Sequence, residues 1–199
     1  MTRLPEEAPL TARLEAMVRA SPTLMAVLTT LRNLDLPDWR VASGAVFQTV
    51  WNALTGRAPD HGIKDYDVLY FDWQLSWEAE DAVIKRVAAA FPPALSARVE
   101  VRNQARVHLW FEGKFGAPYA PLTCTDEALT RFLTPANAVA VRLEPDGRLD
   151  VAAPFGLEDC FAMRLRPNPS RSFHAASYAG IAQGLKARWP EATIDPPRA

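Results

Sequence analysis

Between Asp65 and Asp72 the chain reads DYDVLYFD, an alternating stretch rich in β-forming side chains, which predicts a strand. Side chains two apart on a strand share a face, so positions 65, 67, 69 and 71 point one way and Asp72 points the other, as a loop or capping residue. Helical patterns flank this strand on both sides. Val46 to Leu54 places Val46, Val50, Trp51 and Leu54 inward, with Gly56 positioned to end the helix. Ser76, with Glu80 nearby, opens another helix that runs to about Phe91 and is stopped by Pro92-Pro93. A short strand over Asp38 to Ala42 precedes the first helix through the turn Ser43-Gly44-Ala45. A third strand, Arg98 to Arg102, follows the second helix. Strands alternating with helices predict an α/β architecture, a central sheet flanked by helices.

The ends of the chain add to this frame. Leu10 to Arg19 has helical spacing at Leu10, Leu14, Met17 and Val18. Ser21 then reads as an N-cap with Pro22 first in a helix reaching Leu34. Residues 1–36 thus form a helical N-terminal extension that docks as a lid or scaffold. Beyond the third strand, 103–116 turns from polar to aromatic, and Thr125 to Leu133 reads as a short helix. Ala138–Leu143 and Leu149–Ala153 form a hairpin around Pro145-Asp146-Gly147. Gly156 to Arg164 reads as a short helix, Asn168-Pro169-Ser170 as a loop, and Tyr178 to Trp189 as a last helix before a frayed tail from Pro196. The 199 residues suit a single domain, within which 136–199 reads as a C-terminal subdomain.

Hydrophobic residues make up 49% and charged residues 23%, the balance of an ordinary globular chain. A formal net charge of −1 gives no bulk attraction to nucleic acid or anionic membranes, and leaves a local basic patch as the route to a nucleic-acid partner. Cys124 and Cys160 are too few and too far apart for a disulfide framework or a zinc site. No apolar run approaches membrane-span length, and the polar start, Met1 to Pro9, lacks a signal-peptide core. These features predict a soluble, cytoplasmic protein without a membrane partner.

The chemistry concentrates at Asp65 and Asp67, two carboxylates side by side on one strand face. Like charges this close repel, and a divalent cation removes the cost. Oxygen-only ligation suits Mg²⁺, which draws its remaining ligands from water and substrate phosphates. Glu100, flanked by Val99 and Val101, reaches the same metal if its strand neighbours that of Asp67, as a third ligand or as a base. Ser43 and Gly44 lie between a strand and a helix. There a helix N-terminus offers N–H groups to phosphate, and glycine permits close backbone approach.

The order of this glycine turn, the Asp-x-Asp pair and the apolar-flanked Glu100 resembles the DNA-polymerase-beta-like nucleotidyltransferase superfamily. GAVFQTVWNALTG, IKDYDVLYFD, VRNQARVHLW and APFGLEDCF together look like a bacterial nucleotidyltransferase-like family within it, over roughly Trp39 to Asn168. The resemblance implies a nucleotidyltransferase fold with a mixed central sheet. It matches Gly44 to the phosphate-binding glycine, Asp65 and Asp67 to the metal pair, and Glu100 to the third carboxylate. The implied reaction is Mg²⁺-dependent transfer of a nucleotide from a nucleoside triphosphate, ATP among them, to an unidentified acceptor with release of pyrophosphate. Ala45 stands where the superfamily usually has Gly or Ser. The 21-residue interval from Gly44 to Asp65 requires the intervening loop to fold out of the way.

Asn103 and Arg106, just past Glu100, are candidate contacts to base, sugar or phosphate, against the reading of a hydrogen-bonded structural turn. His108 reads as a packed histidine, Lys64 and His61 as surface residues, and the six tryptophans as scattered packing residues. Asp159 reads as structural, and Arg164, Arg166 and Arg171 as a solvated basic group. The rival functions are a non-catalytic nucleotide-binding module on the same fold, a metal-dependent phosphohydrolase, and a structural interaction protein.

Overall fold

The computed structural model describes residues 8–169 and 175–197, so Arg171 and the extreme termini lie outside the described residues. Helices α1 (Leu10–Arg19) and α2 (Pro22–Leu34) lead into strand β1 (Arg40–Ala42) and helix α3 (Gly44–Leu54). Strand β2 (Tyr66–Tyr70), helices α4 (Trp77–Ala89) and α5 (Pro93–Ser96), and strand β3 (Val99–Asn103) follow. A 3-10 turn over Gln104–Leu109 leads to short helices α6 (Phe111–Phe115) and α7 (Thr125–Leu129). The hairpin of β4 (Ala140–Leu143) and β5 (Leu149–Ala152) comes next. The chain closes with α8 (Glu158–Phe161), β6 (Arg164–Leu165), α9 (Ala175–Arg188) and β7 (Thr193–Ile194). Among the described residues no helix is long and apolar enough to cross a membrane.

Five strands form one sheet in the order β3-β2-β1-β4-β5. β2 and β3 run parallel, joined by the α4 crossover, and the other pairs are antiparallel, so the sheet is mixed as the sequence implies. The period of two divides the side chains cleanly. Val41, Tyr66, Val68, Tyr70, Val101 and Val141 face the larger core, against α1, α2 and α3. Ala42, Leu69, Phe71 and Ala140 face a smaller one, closed by Ala105, Leu122, Ala128 and Leu129. The larger cluster runs from Leu14 to Ala192, so the N-terminal helices and the C-terminal segment share one apolar interior.

Several local expectations shift by a residue or two, for identifiable reasons. α3 starts at Gly44 itself, because β1 turns into it through the single residue Ser43 (φ 55°, ψ −122°), whose carbonyl accepts from Val46 and Phe47 N–H. Ser21 precedes α2 with Pro22 in place, but its hydroxyl is buried and makes no capping bond. Ser76 does cap α4, accepting from Ala79 N–H at 3.2 Å. The helix expected over Gly156 to Arg164 keeps only the four residues of α8, because Met163 takes a left-handed φ of 50° and β6 begins at Arg164.

The loop between α3 and β2 shows how Gly44 and Asp65 meet across 21 residues. Asn52, fully buried on α3, donates Nδ2 to the carbonyls of Pro59 (3.1 Å) and His61 (2.9 Å). Its Oδ1 accepts from Trp189 Nε1 at 2.9 Å. Arg98 donates to the carbonyls of Ile63 (2.6 Å) and Lys64 (3.1 Å) and lies over the Tyr66 ring. Gly62, at φ +70°, is backed by Trp189, whose ring would meet an added Cβ at 2.7 Å. The loop is thus folded outward and tied down carbonyl by carbonyl before Asp65. Replacing Asn52 by Ala strands two carbonyls and the indole N–H, and is expected to cost about 2–4 kcal/mol in urea unfolding.

Candidate active site

Strand register sets the site. Asp67 pairs with Ala42 on one side and with Glu100 on the other, so a single row across the sheet reads Glu100, Asp67, Ala42, Ala140, Ala152. Two carboxylates are followed by three small side chains on the face of the smaller core. Asp65 precedes β2 at the same parity, where the strand end meets the start of α3. A Cβ added to Gly44 would lie 4.0 Å from Asp65 Oδ1 and 3.1 Å from Gln48 Nε2. The glycine keeps that corner open for a ligand to approach the backbone. The α3 amides of Gly44 and Ala45 have no intrahelical acceptor, which makes the corner electropositive. Ser43, held at positive φ just before it, carries the kind of backbone strain that concentrates at functional sites.

Electrostatically the row is overloaded with negative charge. Burial raises the Asp67 carboxyl to about 7, and the charges of Asp65 and Glu100 push the same way, with Arg102 opposing them. Such an excess of anionic field is what a divalent cation relieves, and the all-oxygen donors fit Mg²⁺ better than a soft metal. The arrangement is not a finished cage. Among the described residues no three His, Cys, Asp or Glu side chains are gathered to hold a metal by themselves. Glu100 is exposed on the edge strand β3, in register beside Asp67.

The structure separates two other expected residues from this corner. Asn103 sits on the opposite sheet face, paired with Tyr70, and is buried. Its Oδ1 accepts from the N–H of Asp72 and Ala105, each at 3.1 Å, and its Nδ2 donates to the Asp72 carbonyl at 2.8 Å. Its own N–H donates to Glu80 Oε1 at 2.8 Å. Arg106 pairs with the same Glu80, a carboxylate only 3% exposed, and donates Nε to the Leu75 carbonyl at 2.9 Å. Both therefore brace the turn after β3, the structural alternative weighed for them. Parity flags Asn103 from the sequence alone, since 100 and 103 cannot share a strand face.

Sequence reasoning missed Gln48, one helical turn beyond Gly44 on the site side of α3. It is 7% exposed, and its Oε1 has no hydrogen-bond partner among the described residues. It also missed Asn52, Arg98 and Arg188, because their roles lie in loop carbonyls that no pattern announces. Trp39, Trp51 and Trp189 are core residues, whereas Trp73 is 72% exposed and Trp77 57%. Arg164 and Arg166 are paired with Asp195 and Asp159, which accounts for Asp159 as a structural residue.

A family model described as Nucleotidyltransferase matches residues 29–194. The chain belongs to this nucleotidyltransferase family. A solved structure described by the words "The NMR structure of the protein reveals a CCA-adding enzyme head domain" is similar throughout. The TM-score is 0.72 at 26% identity, over 93% of this chain and 95% of that one. No curated protein matches. The fold is therefore of the nucleotidyltransferase type.

Two consequences can be measured. Asp67 has a folded-state pKa above the unfolded 3.8, so the metal-free native state holds this proton more tightly, and its contribution to stability is lost as pH rises from about 4 to about 7. Asp67→Asn should therefore stabilise the metal-free protein in urea by on the order of 2 kcal/mol at pH 8, allowing for solvent screening, and by little at pH 4. Asn103→Ala should lower stability by about 2–4 kcal/mol while leaving nucleotide affinity within about twofold in calorimetry, because its bonds are structural.

Proposed function

We propose that this nucleotidyltransferase uses a nucleoside triphosphate as donor and Mg²⁺ as metal, with Asp65 and Asp67 as the protein ligands. The observation that carries the reading is the corner itself: Gly44 within reach of Asp65 Oδ1 at the start of α3, with Asp67 and Glu100 in register beside it. Gly44 and Ser43 admit the triphosphate to the α3 N-terminus, where backbone N–H groups meet phosphate oxygens. Mg²⁺ bound there would supply charge neutralisation to the phosphoryl oxygens. Glu100, exposed beside Asp67, takes the proton from the acceptor hydroxyl. The acceptor oxygen forms its bond to the α-phosphorus as the bond to pyrophosphate breaks, and pyrophosphate carries off the electron pair. The two free thiols, Cys124 and Cys160, suit a reducing cytoplasm.

The α/β scaffold beneath the corner does not depend on the carboxylates, so the test is direct. Asp65→Ala and Asp67→Ala should each reduce Mg²⁺-dependent pyrophosphate release, assayed with cell extract as the acceptor source, by at least about 10²-fold, with the circular dichroism spectrum unchanged. Full turnover in the double variant would overturn the assignment. Binding of triphosphate without pyrophosphate release would favour a non-catalytic module, and release of inorganic phosphate a hydrolase.

A further inference from the structure

Three polar side chains are buried on helix α3, and two of them are satisfied. Thr49 donates its hydroxyl to the Ala45 carbonyl at 2.7 Å, and Asn52 is engaged with the carbonyls of Pro59 and His61 and with Trp189. Gln48 is the exception. It is as enclosed as a core residue, yet its Oε1 has no hydrogen-bond partner among the described residues. A buried acceptor left unpaired lowers stability, and native folds carry few of them. Gln48 stands one helical turn after Gly44, and helix side chains lean toward the N-terminus, so its carboxamide returns over the glycine. There Nε2 lies 3.1 Å from the place a β carbon would take on Gly44, and Asp65 Oδ1 lies 4.0 Å from the same point. The missing β carbon thus leaves room beside both an amide donor and a carboxylate. It does so at the helix end whose first N–H groups, those of Gly44 and Ala45, have no intrahelical acceptor.

We propose that Gln48 is a phosphate-binding residue, whose Nε2 donates to an oxygen of the triphosphate seated on Gly44. The inference rests on the nucleotidyltransferase reading above and adds to it a side chain from within α3. The backbone N–H groups supply donors at the helix end, and Nε2 supplies a further one beside Asp65. A carboxamide suits this place better than a charged group. It brings a donor to phosphate without pairing with Asp65, as a cation would, and without the repulsion that another carboxylate would add. Its setting matters as much as its chemistry. A side chain only 7% exposed on a helix has few rotamers open to it, so the donor is in place before the ligand arrives. The unpaired Oε1 then marks stability given up at a functional position, where local rules of satisfaction are most often broken.

Calorimetric titration of inorganic tripolyphosphate with Mg²⁺ tests this without knowledge of the nucleobase or the acceptor. Gln48→Met keeps the length and apolar stem of the side chain and removes both the donor and the unpaired acceptor. Its urea unfolding midpoint should stand at or above that of the wild type, while tripolyphosphate affinity falls by at least about tenfold. Gln48→Glu sets a negative charge against the phosphate and should lose at least as much affinity. A carboxamide that served only the fold would do the opposite, with Gln48→Met lowering the midpoint and sparing affinity. Wild-type affinity in Gln48→Met, whatever its midpoint, would overturn the role of Gln48 alone. A wild-type protein that binds neither tripolyphosphate nor any of the four nucleoside triphosphates would bring down the donor assignment, and Gln48 with it. Should Gln48→Met be less stable as well as weaker in binding, or fail to fold, the side-chain amide resonances of Gln48 in the unmodified protein decide. They should shift on adding Mg²⁺ and tripolyphosphate, and static resonances would refute the proposal.

Discussion

Repulsion among carboxylates is the constraint around which this molecule is arranged. Asp67 is largely buried, with Asp65 before it on the same face and Glu100 beside it in register, and the Asp67 proton is held up to about 7 as a result. A strand loaded this way is less stable in isolation than one carrying apolar side chains at those positions. The fold tolerates it because the opposite face of the same strand, Tyr66, Val68 and Tyr70, is buried in the main core. One face of β2 thus contributes burial while the other concentrates charge where it can act on a ligand.

The rest of the architecture brings groups of the opposite character to that row. β1 and α3 are joined by a single strained residue, so the electropositive start of α3 falls at the start of β2. The long loop from α3 to β2 would be a liability if mobile, since it carries Asp65. Asn52, Arg98, Arg188 and Trp189 bind its carbonyls and back its glycine, converting length into a fixed approach. The similarity to the solved structure described as a CCA-adding enzyme head domain extends over nearly the whole of both chains, so it takes in this scaffold.

The second polar centre of the fold, Glu80 with Asn103 and Arg106, is distinct in place and role. It lies at the other end of β3 on the opposite face and is internally satisfied, a network that fixes where α4 and the following 3-10 turn meet the sheet. Its resemblance in sequence to a substrate-binding cluster comes from proximity to Glu100 along the chain. Three residues along a strand reverse the side on which a side chain stands.

The sequence by itself determined what depends on local periodicity and on covalent neighbours. The alternation of Asp65 to Asp72, the apolar stripes of α1 to α4, the Pro145-Asp146-Gly147 hairpin and the same-face placement of Asp65 and Asp67 follow from backbone geometry and need no partner. The pairing of strands, the parallel register that sets Glu100 beside Asp67, the burial of Glu80 and the delivery of Arg188 and Trp189 to Gly62 were decided only in three dimensions. Each of these joins residues distant in sequence through hydrogen bonds to backbone carbonyls or through packing. Such contacts leave no periodic trace, because any residue can supply a carbonyl and its availability depends on the path of the whole chain.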